Sequence, residues 1–233
     1  MVLAGGLGTR LREVAADRPK VLFPVGGRPF LAYLFDQLSS AGFDRAIICS
    51  GHLGEQLEEA FGGKYKGIKL DYSREMTPLG TAGALAHALP LLEADAAVVM
   101  NGDSYCDVDL LGLWQSHHTQ SADATVVLVE AGDTSRYGSV RVDGAGRVTA
   151  FAEKDAERGP GWVNAGIYVI ARSRLEQIPS GRPVSLERDV LPDWVSNGLC
   201  AYKTPPGTRF VDIGIPEAYA EAERFFSRQV GRG

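Results

Sequence analysis

The sequence predicts an α/β fold: a mostly parallel sheet flanked by helices, followed by a mixed, partly antiparallel second half. Short, continuously apolar strand patterns alternate with amphipathic helix patterns through the first half of the chain. That alternation is the signature of a parallel sheet covered on both faces. After Val129 the pattern changes to a hairpin and a longer strand, which calls for a mixed arrangement. At 233 residues, 45% of them hydrophobic, the chain suits one body with a large core.

Strands are predicted at Val2–Ala4, Ala46–Ser50, Ile68–Tyr72, Ala96–Asn101 and Ala124–Val129. Between them lie helices at Pro29–Ala41, Gly54–Phe61, Thr81–Leu92 and Asp109–His117. In the first helix Phe30, Leu31, Leu34, Phe35 and Leu38 share one face, and Pro29 suits the first turn. Asp109 reads as an N-cap. Gly138–Val142 and Arg147–Glu153, joined by Asp143-Gly144-Ala145-Gly146, read as an antiparallel hairpin. Trp162–Ile170 follows as a long strand and Ser185–Trp194 as a helical stretch. Leu199–Lys203 and Arg209–Ile213 are short strands, and Pro216–Phe226 is a closing helix.

The first strand runs straight into Gly5-Gly6-Leu7-Gly8-Thr9-Arg10-Leu11. Three glycines in four positions allow a tight turn and close approach to a ligand. Exposed backbone N–H groups in such a loop form an anion-binding concavity, to which Arg10 adds a permanent charge. Phosphate is the leading ligand, and a turn that only connects strand to helix is the plain alternative. A Walker A loop is excluded because Gly8-Thr9-Arg10 lacks Gly-Lys-Ser/Thr, and the dinucleotide fingerprint fails at Leu11. The loop leaves the carboxyl end of its strand, the edge at which open parallel sheets bind ligands.

A formal net charge of −5 argues against nucleic acid or an anionic membrane as partner. A polyphosphate would therefore be met locally, by Arg10, Arg12, Arg18 and Lys20. Cys49, Cys106 and Cys200 are odd in number and scattered, which predicts reduced, mostly buried thiols rather than a disulfide framework or zinc site. No signal peptide is evident, nor any apolar run near the ~20 residues of a membrane span, so a cytoplasmic location is expected.

Asp103, in Asn101-Gly102-Asp103, follows the strongest strand, and Asp212 ends another. Carboxylates on the same edge as a phosphate loop suit Mg²⁺, which takes one or two of them plus substrate phosphates and water. The alternative for each is a cap or turn residue, and Asp107 reads as solvated. Lys20, held between Pro19 and a run of hydrophobes, is placed to aim its ammonium. Leu79-Gly80-Thr81-Ala82-Gly83-Ala84 opens a helix with small residues that admit something flat, or that only pack tightly. Glu153, Asn164 and the Gly138 backbone offer mixed donors and acceptors for a hydroxyl-rich ligand. Glu187 is similar, or lies on a surface helix. His52, His87, His117 and His118 compose no catalytic arrangement, and no Ser–His–Asp or Cys–His set stands out.

Taken in order, Leu3-Ala4-Gly5-Gly6-Leu7-Gly8-Thr9-Arg10-Leu11, Pro19-Lys20, Leu79-Gly80-Thr81-Ala82-Gly83, Asn101-Gly102-Asp103, Phe151-Ala152-Glu153-Lys154, Asn164-Ala165-Gly166 and Asp212-Ile213-Gly214 resemble the sugar-1-phosphate nucleotidylyltransferases. The resemblance implies a Rossmann-like nucleotide-diphospho-sugar transferase fold in a single domain over 1–233, with a nucleotide-binding half (1–130) and a sugar-phosphate-binding half (131–233). It implies that Leu3, Ala4, Gly5, Gly6, Gly8, Thr9, Gly80, Thr81, Gly83 and Gly102 contact the nucleotide, and that Arg10, Lys20 and Asp103 are catalytic. Asp103 and Asp212 would bind Mg²⁺; Gly138, Glu153, Lys154, Asn164 and Glu187 would bind the sugar phosphate. The implied reaction is attack of a sugar-1-phosphate oxygen on the α-phosphorus of a nucleoside triphosphate, releasing pyrophosphate. That nucleophile is already ionised and needs no general base, in keeping with the histidines. Within the family the Pro78-Leu79-Gly80-Thr81 and Arg136-Tyr137-Gly138 wording is most similar to heptose 1-phosphate guanylyltransferases, with mannose-1-phosphate guanylyl- and N-acetylmuramate-phosphate uridylyltransferases as alternatives. A nucleotide-binding regulatory homologue would be expected to lack the carboxylates or the lysine, which are present. A homo-oligomer is possible.

Overall fold

The computed structural model describes residues 1–6, 18–135, 137–151, 159–213 and 216–230. Its first half runs β1 (Val2–Leu3), a 3-10 turn (Lys20–Leu22), β2 (Pro24–Val25), β3 (Arg28–Pro29), α1 (Phe30–Ser40), β4 (Arg45–Ser50), α2 (Glu55–Phe61), β5 (Lys64–Tyr65), β6 (Ile68–Arg74), α3 (Gly80–Ala88), β7 (Ala96–Asn101), β8 (Ser104–Cys106) and α4 (Leu110–Thr119). It continues through β9 (Ala124–Ala131), β10 (Val140–Val142), β11 (Val148–Phe151), β12 (Gly161–Ala171), α5 (Arg172–Leu175), a π-helical turn (Leu186–Val190), α6 (Leu191–Val195), β13 (Leu199–Lys203), β14 (Phe210–Asp212) and α7 (Pro216–Val230).

Eight strands form one sheet in the order β13-β9-β12-β7-β1-β4-β6-β5. β1 pairs in parallel with both β4 and β7, β4 with β6, and β13 with β9. The chain builds outward from β1 through β4 and β6, then returns to lay β7 on the other side of β1. That reversal is a topological switch point, and ligands of open α/β sheets bind outside the strand carboxyl ends there.

The strand order itself was not given by the local pattern: β12 lies between β7 and β9 and runs antiparallel to both. The reason is burial on both faces: Val163, Ala165, Ile167 and Val169 join one core, whereas Tyr168 and Ile170 join the other. A strand that is apolar on both sides belongs inside a sheet rather than at its edge. The two cores cover opposite sheet faces, one packed under Phe30, Leu34, Leu113 and Phe226, the other under Leu85, Leu186, Leu191 and Trp194.

Several boundaries also shift. The helix read as Thr81–Leu92 ends at Ala88 and finishes as a 3-10 turn over Leu89–Leu91, because Pro90 has no N–H to continue the ladder. The stretch Ser185–Trp194 divides into the π-helical turn and α6, with Pro192 in the first turn of the latter. β5 and β8 were not anticipated, being too short to show a period. Asp109 caps α4 by accepting from Gly112 N at 3.0 Å. Asp107, read as solvated, pairs with Arg209 at 2.7 Å. No disulfide joins the cysteines: Cys49 and Cys106 are buried and Cys200 is partly exposed. No helix among the described residues is long and apolar enough to cross a membrane.

Candidate active site

The switch point lies at the carboxyl ends of β1 and β7. Their register places Leu3 opposite Asn101, and Gly102 N donates to Leu3 O at 2.9 Å. A side chain at Gly102 would sit 2.6 Å from that oxygen, so only glycine lets the two strand ends meet. Leu3 to Gly6 therefore enter the glycine loop directly beside Asp103. Residues 7–17, with Gly8, Thr9, Arg10 and Arg12, lie outside the described residues, as do Arg136, Glu153, Lys154 and Gly214.

Lys20 opens the 3-10 turn whose Val21 and Leu22 are buried, which anchors the lysine stem. Its Nζ donates to Asp103 Oδ2 at 2.8 Å; the lysine side chain is 11% exposed and the aspartate 45%. The cation is thus fixed while its carboxylate partner keeps an open face. β14 pairs antiparallel with β8, setting Asp212 opposite Ser104, and Ile213 N donates to Asp103 O at 2.9 Å. The structure so brings together Lys20, Asp103 and Asp212 from three distant stretches of chain. No group of three or more His, Cys, Asp or Glu that suits a metal occurs among the described residues. A pair of carboxylates with hard oxygen donors is the kind of set that holds Mg²⁺ when substrate phosphates and water complete the shell.

On the β4 side, Glu75 was missed in the sequence, where it reads as one more charged loop residue. Its backbone N donates to Ser50 O at 2.9 Å and its Oε2 accepts from Leu79 N at 3.1 Å. Its Oε1 lies so close over Gly51 and Gly5 that a Cβ on them would meet it at 2.9 and 3.2 Å. Burial pushes its carboxyl above the usual range. Gly80 and Gly83 show the tight packing that is one of the two readings of this helix start. Gly80 has φ +71° and a Cβ there would sit 2.5 Å from Val184 O; one on Gly83 would sit 2.9 Å from Arg182 O. The space is filled by the protein's own backbone, which bonds Ala82 N to Val184 O and Val184 N to Leu79 O.

The β12 side supplies Asn164, whose Nδ2 donates to the Tyr168 hydroxyl at 2.7 Å and whose Oδ1 accepts from Gly166 N at 2.9 Å. Gly166, with φ +72°, packs against the Asn101 and Ser104 side chains, and Ser104 Oγ donates to Ala165 O at 3.3 Å. Asn164 is thereby tied to the turn that carries Asp103. Gly138 is buried, its N–H donating to Thr134 O at 2.9 Å. Glu187, read as a sugar contact or a surface-helix residue, accepts from Thr81 Oγ1 at 2.9 Å through its Oε2. The histidines take structural or surface positions: His117 is buried against Thr125, and His52 is exposed in a turn.

This geometry agrees with the comparison to known proteins. The family model described as nucleotidyl transferase matches residues 1–229. The chain belongs to the nucleotidyl transferase family. Among its relatives, the D-glycero-alpha-D-manno-heptose 1-phosphate guanylyltransferase of Aneurinibacillus thermoaerophilus is 35% identical, over 96% of each chain. The mannose-1-phosphate guanylyltransferase of Mycobacterium tuberculosis is 38% identical over 94% of this chain, which spans only 62% of that relative. The crystal structure of HddC from Yersinia pseudotuberculosis superposes with a TM-score of 0.85 at 34% identity, covering 97% of each chain, and a second structure of HddC is complexed with GMP-PN. In this nucleotidyl transferase the Lys20–Asp103 ion pair lies beside the end of β1, with Asp212 at the end of the neighbouring β14.

Proposed function

We propose that this nucleotidyl transferase moves a guanylyl group from GTP to a sugar 1-phosphate, releasing pyrophosphate, with D-glycero-D-manno-heptose 1-phosphate as the first candidate acceptor. The observation that carries the reading is the fixed Lys20–Asp103 pair with Asp212 at the adjoining strand end. The 35% identical heptose 1-phosphate guanylyltransferase, matched over nearly its whole length, supports the acceptor. The 38% identical mannose-1-phosphate guanylyltransferase makes mannose 1-phosphate the second candidate.

In this reading Leu3, Ala4, Gly5, Gly6 and Gly102 bring backbone to the triphosphate, and Lys20 offsets charge that builds on the α-phosphoryl group. Asp103 and Asp212 would hold Mg²⁺, which would supply positive charge to offset that of the phosphates. Catalysis then consists of positioning two anions in line and stabilising the charge between them. The attacking phosphate is ionised at neutral pH, so no side chain has to take a proton. Asn164 retains a second amide hydrogen for a sugar hydroxyl beyond the one given to Tyr168. Glu75 is the base reader: a carboxylate only accepts, and guanine presents two adjacent donors, its N1–H and N2 amino group. Uracil and thymine flank their one N–H with carbonyl oxygens that a carboxylate repels.

A matrix of GTP, UTP, CTP, ATP and dTTP against heptose, mannose and glucose 1-phosphates with Mg²⁺, followed by pyrophosphate release, tests this. GTP with heptose or mannose 1-phosphate is expected to dominate. In Glu75→Gln the GTP-to-UTP ratio of kcat/KM is expected to fall about 10–100-fold, the worth of one charged hydrogen bond. Release confined to UTP or dTTP in the native enzyme would overturn the guanylyl assignment.

A further inference from the structure

Lys20 reaches Asp103 from a turn whose position is set by residues well outside the ion pair. Phe23 N donates to Lys20 O at 3.1 Å, and Phe23 O accepts from Phe30 N at 3.0 Å, so buried Phe23 ties the lysine's backbone to the start of α1. The β2–β3 hairpin leaves that turn directly, pairing Pro24 with Pro29 and Val25 with Arg28. Val25 O accepts from the Tyr33 hydroxyl of α1 at 2.9 Å. A further side of the turn and hairpin is covered by α7. The Tyr219 hydroxyl donates to Pro24 O, and its ring meets Phe23 edge-on with centroids 6.3 Å apart. One turn further along α7, the Glu223 carboxylate accepts from Gly26 N, each oxygen lying at 3.2 Å. Phe226 stacks on Tyr33 with centroids 3.7 Å apart.

Tyr219, Ala222, Glu223 and Phe226 recur at i, i+3, i+4 and i+7, the spacing of one helical face. The same helix is also attached to the aspartate's side. It follows β14, and Ile213 just after that strand donates from its N to Asp103 O at 2.9 Å. Phe225 and Phe226 pack edge-on against Tyr105 of β8, the strand that leaves Asp103, with centroids 5.7 and 5.1 Å apart. One helix thus grips both segments that supply the ion pair. A lysine ammonium rides on a flexible four-carbon stem, so its aim depends on how firmly the backbone beneath it is held.

We propose that α7 is a splint that holds the Lys20 turn against Asp103, and that Tyr219 and Glu223 are positioning residues for the transfer step. They bond backbone groups of the hairpin and act on the reaction through Lys20. The inference rests on the role given to Lys20 above. It adds that the aim of the catalytic cation is fixed by a helix some 195 residues further along the chain.

The test is a double-mutant cycle read by pyrophosphate release from GTP with mannose 1-phosphate or heptose 1-phosphate and Mg²⁺. Tyr219→Phe keeps the ring and deletes the hydroxyl. It is expected to lower kcat about 3–10-fold, the worth of one hydrogen bond, with KM for GTP unchanged, because the lysine's charge counts most in the transition state. In the Lys20→Ala background the same substitution is expected to change kcat by less than about 1.5-fold, since the group it positions is gone. Glu223→Ala is expected to behave like Tyr219→Phe in both backgrounds. Glu223→Gln, whose side-chain oxygen still accepts from Gly26 N, is expected to restore kcat. Thermal melting checks that each variant is folded, and the Glu223 pair carries the cycle if Tyr219→Phe is not. Equal losses in both backgrounds, or a melting shift with kcat unchanged, would overturn the splint. Native turnover in Lys20→Ala, or a native enzyme that releases no pyrophosphate, would instead overturn the reading on which the splint rests.

Discussion

Lys20 and Asp103 are 83 residues apart in sequence and 2.8 Å apart in space. Each supports the other's geometry: the lysine is anchored by the buried turn that follows it, and the aspartate by the meeting of β1, β7 and β14. Asp103→Asn removes the counter-ion of Lys20 and, in the proposed mechanism, a Mg²⁺ ligand as well, whereas Lys20→Ala removes the cation alone. Each is expected to lower kcat by about 10²–10³-fold, the usual cost of losing one preorganised electrostatic contact. Circular dichroism and melting are expected to stay near native values, because the pair lies at a strand end and not in the core. Near-normal turnover in both purified variants would contradict the mechanism. The sequence already marked these two residues, Lys20 through its flanking Pro19 and Asp103 through the apolar strand before it. It hid Glu75 and the Thr81–Glu187 bond, because a loop glutamate and a threonine 106 residues from its partner have no local signature.

At the scale of elements, apolar runs that repeat with a helical or strand period were legible, and pairings that depend on distant chain were not. α1 and β7 fall where their patterns put them, within a residue. The antiparallel insertion of β12 is invisible locally, because its two-faced burial has meaning only once both neighbours are known. α4 carries a comparable hidden contact: His117 Nδ1 lies 2.9 Å from the Thr125 hydroxyl of β9, with the ring 3% exposed. Burial, aided by the charge of neighbouring His118, pushes His117 down from 6.5 to about 4. The unfolded chain therefore takes up a proton near pH 6.5 that the folded one refuses until about pH 4. With more protons bound to the unfolded state, stability is complete above that window and falls as pH drops through it. The melting temperature of the native protein is expected to decline more steeply between these values than that of His117→Asn, which keeps a polar partner for Thr125 without the titration. Equal slopes would contradict the docking of α4 through a neutral imidazole.

For the whole molecule, the sheet reverses its direction of growth at β1, and that single topological event gathers the cation, the carboxylates and the glycine loop's entrance on one edge. The family was readable from motifs in their order along the chain; the way β12 and β14 return to strands laid down much earlier was not, since it depends on distant pairings. The account stands on the claim that the crevice directs attack at the α-phosphorus. GTP labelled separately at its α- or γ-phosphorus, incubated with a heptose or mannose 1-phosphate and Mg²⁺, examines that claim most directly. The α-label is expected in a nucleotide sugar and the γ-label in pyrophosphate. Transfer of the γ-label to the sugar phosphate, or an α-label left wholly in GTP, would contradict it.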